Sequence, residues 1–154
     1  MNLSKNFTLL ELTHSQEATR AGLDNTPTTE HIKSLNLLCA NILQPLRDRV
    51  ARPIVISSGY RSVNLNRLIG GSIVSQHTIG QAADFTIPSI SVEEVISIIR
   101  ELKLPVDQCI NEFGQWVHIS HRHNRGQFLA ARKKDHKTIY KICTGSYRGS
   151  FNRI

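Results

Sequence analysis

The stretch Ser75-Gln76-His77-Thr78-Ile79-Gly80-Gln81-Ala82-Ala83-Asp84-Phe85-Thr86-Ile87 decides how the rest of the chain is read. Its first half is a short polar loop with one glycine. Its second half, from Ala82 to Ile87, is a short β-type run. The loop joins the imidazole of His77 to the carboxylate of Asp84, and Gly80 supplies a backbone conformation that other residues resist. Such a loop folds back and points both groups at one spot. Neutral imidazole nitrogen and carboxylate oxygen are both zinc donors at roughly 2.0–2.2 Å. Spacing alone leaves a plainer reading open: a strand histidine is commonly a core or surface residue, and an Asp after glycine a turn residue.

Downstream, Cys109–Phe113 and Trp116–Ser120 are strand-like, with Gly114 between them. His118 lies in the second of these runs and offers a third donor on a rigid element. Three protein ligands leave a fourth position for water, the arrangement of a catalytic zinc site. Thr138–Cys143 is a further candidate strand. Between the two regions, Ser91-Val92-Glu93-Glu94 has the form of a capping box. It opens a helix whose apolar side is Val95, Ile96, Ile99 and Leu102, with Pro105 just past its end.

Upstream, short amphipathic pieces cover Thr8–Leu12 and Glu17–Ala21, and Asp24-Asn25-Thr26-Pro27 reads as a turn. Thr28 or Thr29 caps a long helix running to about Val50. Its buried face is Ile32, Leu35, Leu38, Ile42 and Leu46, and Pro45 is placed to kink it. Ile54–Ser58 reads as a central strand because its apolar character is continuous. Ser62–Leu68 reads as a short helix stopped by Gly70-Gly71. The total is an α+β fold: a small, mostly antiparallel sheet with flanking helices, expected to form one domain over residues 1–154.

Composition sets the bounds. A chain of 154 residues, 40% hydrophobic, has the makings of a globular core rather than of a disordered segment. No apolar run approaches the ~20 residues of a membrane helix. The N-terminus lacks an apolar h-region and a small-residue cleavage site, so no signal peptide is visible. Synthesis in a cytoplasm is expected, with another agent releasing the protein if it acts on a cell wall. The three cysteines, Cys39, Cys109 and Cys143, form no C-x-x-C pair. A disulfide framework or cysteine zinc site is therefore not expected, and Cys39 and Cys109 read as small buried residues. The formal charge of +7 favours anionic partners. Much of it lies late in the chain, from Arg122 and Arg125 to Arg148 and Arg153. No nucleic-acid motif accompanies it, so no specific nucleic-acid partner is expected.

Several separated motifs occur in one order: Ser58-Gly59-Tyr60-Arg61-Ser62, Leu65-Asn66, Gly70-Gly71-Ser72, then Ser75, His77, Gly80 and Asp84, then Trp116 and His118. Phe7-Thr8-Leu9, Asn25-Thr26-Pro27 and Leu43-Gln44-Pro45-Leu46-Arg47 precede them. Over roughly residues 3 to 120 the chain resembles the zinc D-Ala-D-Ala carboxypeptidase family, which includes L-alanyl-D-glutamate endopeptidases of phages, and it is most similar to the phage-type branch. The resemblance implies Zn2+ held by His77, Asp84 and His118. It implies Arg61 facing the substrate, to hold a carboxylate or steady the developing oxyanion, and Ser75 lining the site and hydrogen-bonding the substrate backbone. It implies hydrolysis of a stem-peptide bond of bacterial peptidoglycan, as by a phage endolysin released through a holin pore; a monomer is expected, although nothing in the sequence reports the oligomeric state. For Arg61 a structural salt bridge, and for Ser75 a plain turn hydroxyl, are the competing roles. Trp116 is open to two roles, a wall of the substrate cleft or core packing.

One position departs from the family pattern. Much of the family has a carboxylate three residues before the last histidine, where this chain has Gln115, which cannot serve as a base. Glu112 is the nearest carboxylate. On a continuous strand positions 112, 114, 116 and 118 share a face, which turns Glu112 toward the metal as the water-activating base. A bulge at Gly114 weakens that parity. The phage-type branch also carries a Glu just before its W-V-H run. His121 and His123 are out of phase with His118 and read as part of an exposed basic turn; His14, His31 and His136 read as surface residues. Two alternatives stand beside the endopeptidase: a D-Ala-D-Ala carboxypeptidase, with Arg61 as carboxylate clamp, and a non-catalytic zinc-stabilised binding module, as in hedgehog-type domains of similar fold.

Overall fold

A computed structural model describes residues 1–144. Arg148 and Arg153 of the basic tail lie outside the described residues. The chain begins with two short helices, α1 (Leu9–Thr13) and α2 (Gln16–Ala21). Thr8 and Ser15 cap them through their hydroxyls, each satisfying a backbone N–H that the helix leaves unpaired.

The expected long helix is broken into three parts. α3 (Thr29–Leu38) is capped by Thr28, a π-helical segment covers Cys39–Leu43, and α4 (Gln44–Val50) completes it. Pro45 is the reason. It has no N–H for an i→i−4 bond, and its ring crowds the preceding turn. The wider π turn just before it, in which the Gln44 N–H bonds to the Cys39 carbonyl, accommodates the proline without a sharp break. Leu35, Leu38, Ile42 and Leu46 remain fully buried on one side, as their spacing predicts.

β1 (Val55–Ser58), α5 (Val63–Leu68), a 3₁₀ turn (Gln76–Ile79), β2 (Ala82–Thr86) and α6 (Val92–Glu101) follow. Ser91 caps α6 by accepting from the Glu94 N–H. β3 (Gln108–Glu112), β4 (Trp116–Ser120), β5 (Gln127–Lys134) and β6 (Lys137–Ile142) complete the sheet. The strand order is β1-β2-β4-β3-β5-β6. All neighbours are antiparallel except β3 and β5, which run parallel. The fold is α+β, with a mostly antiparallel sheet.

Two expectations need correction. β1 is an edge strand, not a central one: Ile54 and Ile56 turn to the core while Val55 is 49% exposed. Its continuous apolar run therefore does not mean burial on both faces. His31 is half-buried rather than a plain surface residue. Its Nδ1 accepts from the Thr28 N–H, and its ring packs at 4.8 Å against Tyr60. β5 is the one strand without a counterpart among those expected from the sequence.

The sheet has two unlike faces. One carries Ala83, Phe85, Cys109, Val117 and Ile119, all essentially inaccessible to solvent, and packs on α3–α4 and α6. The buried thiols Cys39 and Cys109 belong to this core, as expected. The other face carries the residues of opposite parity and is open.

Candidate active site

The open face is organised by register. Asp84 on β2 pairs with His118 on β4, His118 with Ile110 on β3, and Ile110 with Leu129 on β5. Paired residues point to one face, so these four form a row across the sheet. The adjacent row is Trp116, Glu112, Ala131 and Tyr140. Apart from the covered Ala131, the residues of the two rows line a groove of about 710 Å³. Ser75, Gln76 and His77 overhang it from the 3₁₀ turn, and Arg61 flanks it on the β1 side.

His77 reaches the groove because of how its loop is held. Gly80 adopts φ +72°, and a Cβ there would meet the His31 carbonyl oxygen at 2.5 Å. Only glycine allows the loop to lie this close to α3. Gly59, whose Cβ would collide with the Leu12 backbone, brings its own carbonyl beside His77 Nδ1 at 2.7 Å. With Nδ1 donating there, Nε2 is left with its lone pair directed at the other two donors.

The three donors converge. His118 Nδ1 lies 2.8 Å from Asp84 Oδ1, His77 Nε2 3.3 Å from Asp84 Oδ1, and His77 Nε2 3.3 Å from His118 Nδ1. One donor atom from each residue falls within 4.8 Å of the others. Burial pushes the His77 imidazole below its ordinary value, which favours the neutral, ligating form. Burial raises the Asp84 carboxyl, but its two imidazole neighbours, His77 and His118, outweigh it and keep the group anionic, well below the carboxylate range. An anionic carboxylate and an imidazole kept neutral are the protonation states a divalent ion requires. The donor set therefore fits zinc with three protein ligands.

Around this centre, each of the three nitrogens of Arg61 makes a hydrogen bond. Its Nε donates to Ser58 Oγ at 2.9 Å, one Nη to Asn66 Oδ1 at 3.3 Å, and the other to Asp84 Oδ2 at 3.0 Å. Glu112 projects into the groove beside His118, and burial raises its carboxyl above the ordinary 4.5. The expected parity holds for a different reason than a continuous strand. Residues 113–115 form a turn with Phe113 and Gly114 both at positive φ, and the hairpin register pairs Glu112 with Trp116 and Ile110 with His118. Trp116 lines the groove and meets Phe113 edge-on at 5.8 Å. Ser75 lines the groove as well, and its Oγ caps the 3₁₀ turn by accepting from the His77 N–H.

His121 is not one of the three converging donors; its Nε2 lies 3.3 Å from the Asn41 side chain. Sequence reasoning missed three groove residues on and before β5 and β6: Arg125, Leu129 and Tyr140. The run Phe128-Leu129-Ala130-Ala131 carried the signal for β5, masked by the flanking charges. Arg125 pairs with the buried Asp107 through Nε at 2.7 Å and Nη2 at 2.8 Å.

The sequence profile of the peptidase M15 family matches residues 5–120. The chain belongs to this family, whose members are zinc-dependent peptidases. Among curated proteins, none matches the chain. The matched span includes His77, Asp84, Glu112 and His118 and stops before β5.

Proposed function

We propose that this chain is a single-domain zinc endopeptidase that cuts a stem-peptide bond of bacterial peptidoglycan, in the manner of a phage endolysin. One observation carries the reading. His77 Nε2, Asp84 Oδ1 and His118 Nδ1 converge at the floor of an open groove, with Glu112 on the same sheet face one row away.

His77, Asp84 and His118 would hold the metal. Zinc bound there supplies Lewis-acid polarisation of a peptide carbonyl and lowers the pKa of water toward ~7. Glu112, on the groove side of His118, accepts the proton of the attacking water and returns it to the leaving amine. Its raised pKa brings it nearer the operating pH than an ordinary glutamate, which suits both transfers. Trp116 walls the cleft and Ser75 shapes its rim. Arg61 acts through Asp84, orienting the carboxylate so that Oδ1 faces the histidines. Three of its five N–H groups are held by Ser58, Asn66 and Asp84, which leaves it less free to form the two-pronged clamp that removal of a terminal residue calls for.

Gln115 supports a second reading, a zinc-stabilised binding module without turnover. The test is incubation of the zinc-loaded protein with isolated peptidoglycan, followed by mass spectrometry of the released fragments. New amino and carboxyl ends that disappear with chelator or with Glu112→Ala support the peptidase. Zinc binding without release from several wall chemistries supports the module.

A further inference from the structure

The groove has a wall that the family match does not cover. The hairpin β5–β6 lies wholly beyond residue 120, where the match to the peptidase family ends. It nonetheless puts Leu129 and Tyr140 into the lining of the groove. Tyr140 stands in the row of Glu112, with only Ala131 between them. Strands lie about 4.8 Å apart, so the two Cα atoms are roughly two spacings apart, within the combined reach of a phenol and a carboxylate side chain.

Ala131 stands between these two residues in the row. It sits on the open face, yet it is only 2% exposed. Its cross-strand neighbours are Glu112 and Tyr140, and a methyl group offers no bulk to hold them apart. Tyr140 itself remains 56% exposed, a large aromatic ring left open to solvent on the wall of a groove. Fields from both Glu112 and Asp84 reach its hydroxyl: after burial, these two carboxylates are what raise the phenol further. The phenol is thus protonated at neutral pH, on the lining of the groove that also holds Asp84 and His118.

We propose that Tyr140 is a substrate-binding residue, its ring closing the side of the groove opposite Arg61 and its hydroxyl donating a hydrogen bond to a backbone carbonyl of the bound peptide. The inference rests on the peptidase reading of the same groove. It assigns to the added hairpin the task of holding the peptide chain against Glu112.

The test compares wild type with Tyr140→Phe and Tyr140→Ala on peptidoglycan fragments, with zinc content and thermal midpoint measured on each. Tyr140→Phe is expected to raise KM about three- to tenfold, and Tyr140→Ala about tenfold or more, with zinc content unchanged. A parallel titration uses a synthetic stem pentapeptide in the Glu112→Gln background, followed by fluorescence of Trp116, the only tryptophan of the chain. Weaker binding by the Tyr140 variants supports the inference. Wild-type turnover with both variants unchanged in KM and in peptide binding overturns it and leaves the peptidase reading intact. Absence of wild-type turnover defeats the peptidase reading, and the titration then decides Tyr140: unaltered or absent peptide binding overturns it.

Discussion

Arg61 Nη2 lies 3.0 Å from Asp84 Oδ2, the carboxylate oxygen that the histidines do not share. The carboxylate is thereby held in one rotation, with Oδ1 toward His77 and His118. Arg61→Ala frees it to turn. Zinc affinity is expected to fall about 10–100-fold, the usual effect of losing an outer hydrogen-bond partner. Repulsion between guanidinium and metal runs the other way, so a competition titration decides. An unchanged or increased affinity would sink the positioning role. Arg61→Lys should recover only part of the loss, because an ammonium cannot serve Ser58, Asn66 and Asp84 from one planar fork.

Glu112 carries the proton transfer in this reading. Glu112→Gln should lower kcat by about 10²–10⁴ while zinc stays bound. The working form is the ionised one. Burial raises the carboxyl, so protonation switches the base off at a higher pH than for an ordinary glutamate. The acid limb of kcat/KM is expected above pH 4.5. A limb at or below that value, or full activity in the Gln variant, speaks for another base.

Gly80→Ala sets a methyl group against the His31 carbonyl and forces a positive φ on alanine. The expected cost is roughly 1–3 kcal/mol in stability. Because His77 rides on the same turn, zinc affinity should drop with it. Calorimetry beside the zinc titration checks both, and a thermal midpoint equal to wild type would remove the argument for a glycine here.

Asp107 is fully buried and receives Arg125, Gln76 and the Arg125 N–H. The hydrogen bonds, chiefly from Arg125, hold its carboxyl down at about 2. Its contribution to stability is complete above 3.8 and is lost as the pH falls through about 2. Arg125→Ala should cost roughly 1.5–3 kcal/mol near neutral pH by leaving a buried carboxylate short of donors. Urea midpoints for wild type and Asp107→Asn should converge across that acid window. Parallel curves would show that the pair contributes nothing specific.

The three converging side chains were legible in the sequence because each sits on a feature with its own signature: a glycine loop for His77, a short strand for Asp84, a W-x-H strand for His118. Helix starts were legible at Thr28 and Ser91, where a hydroxyl precedes an apolar periodicity. Less legible were relations set by tertiary pairing. Whether Val55 faces solvent depends on which strand lies beside it, and nothing local to Ile54–Ser58 says that one side is bare. That Pro45 would be absorbed by a π turn depends on the packing of Ile42 and Leu46, which holds both halves of the helix on one core. β5 escaped notice because Arg125 and the run Arg132-Lys133-Lys134 make its surroundings read as a solvated basic stretch. Arg61 stood out in the sequence, but its bonds to Ser58, Asn66 and Asp84 are set by the tertiary fold.

The sheet order has a consequence for any shortened form of the chain. Because β5 lies on the far side of β3 from β4, the sheet without it ends at Gln108–Glu112. A fragment stopping at Ser120 would keep His77, Asp84, His118 and Glu112, yet Glu112 would stand on an unprotected strand, with bare N–H and C=O groups inviting pairing with another molecule. Such a fragment is expected to self-associate along β3, so the hairpin serves solubility as well as the groove.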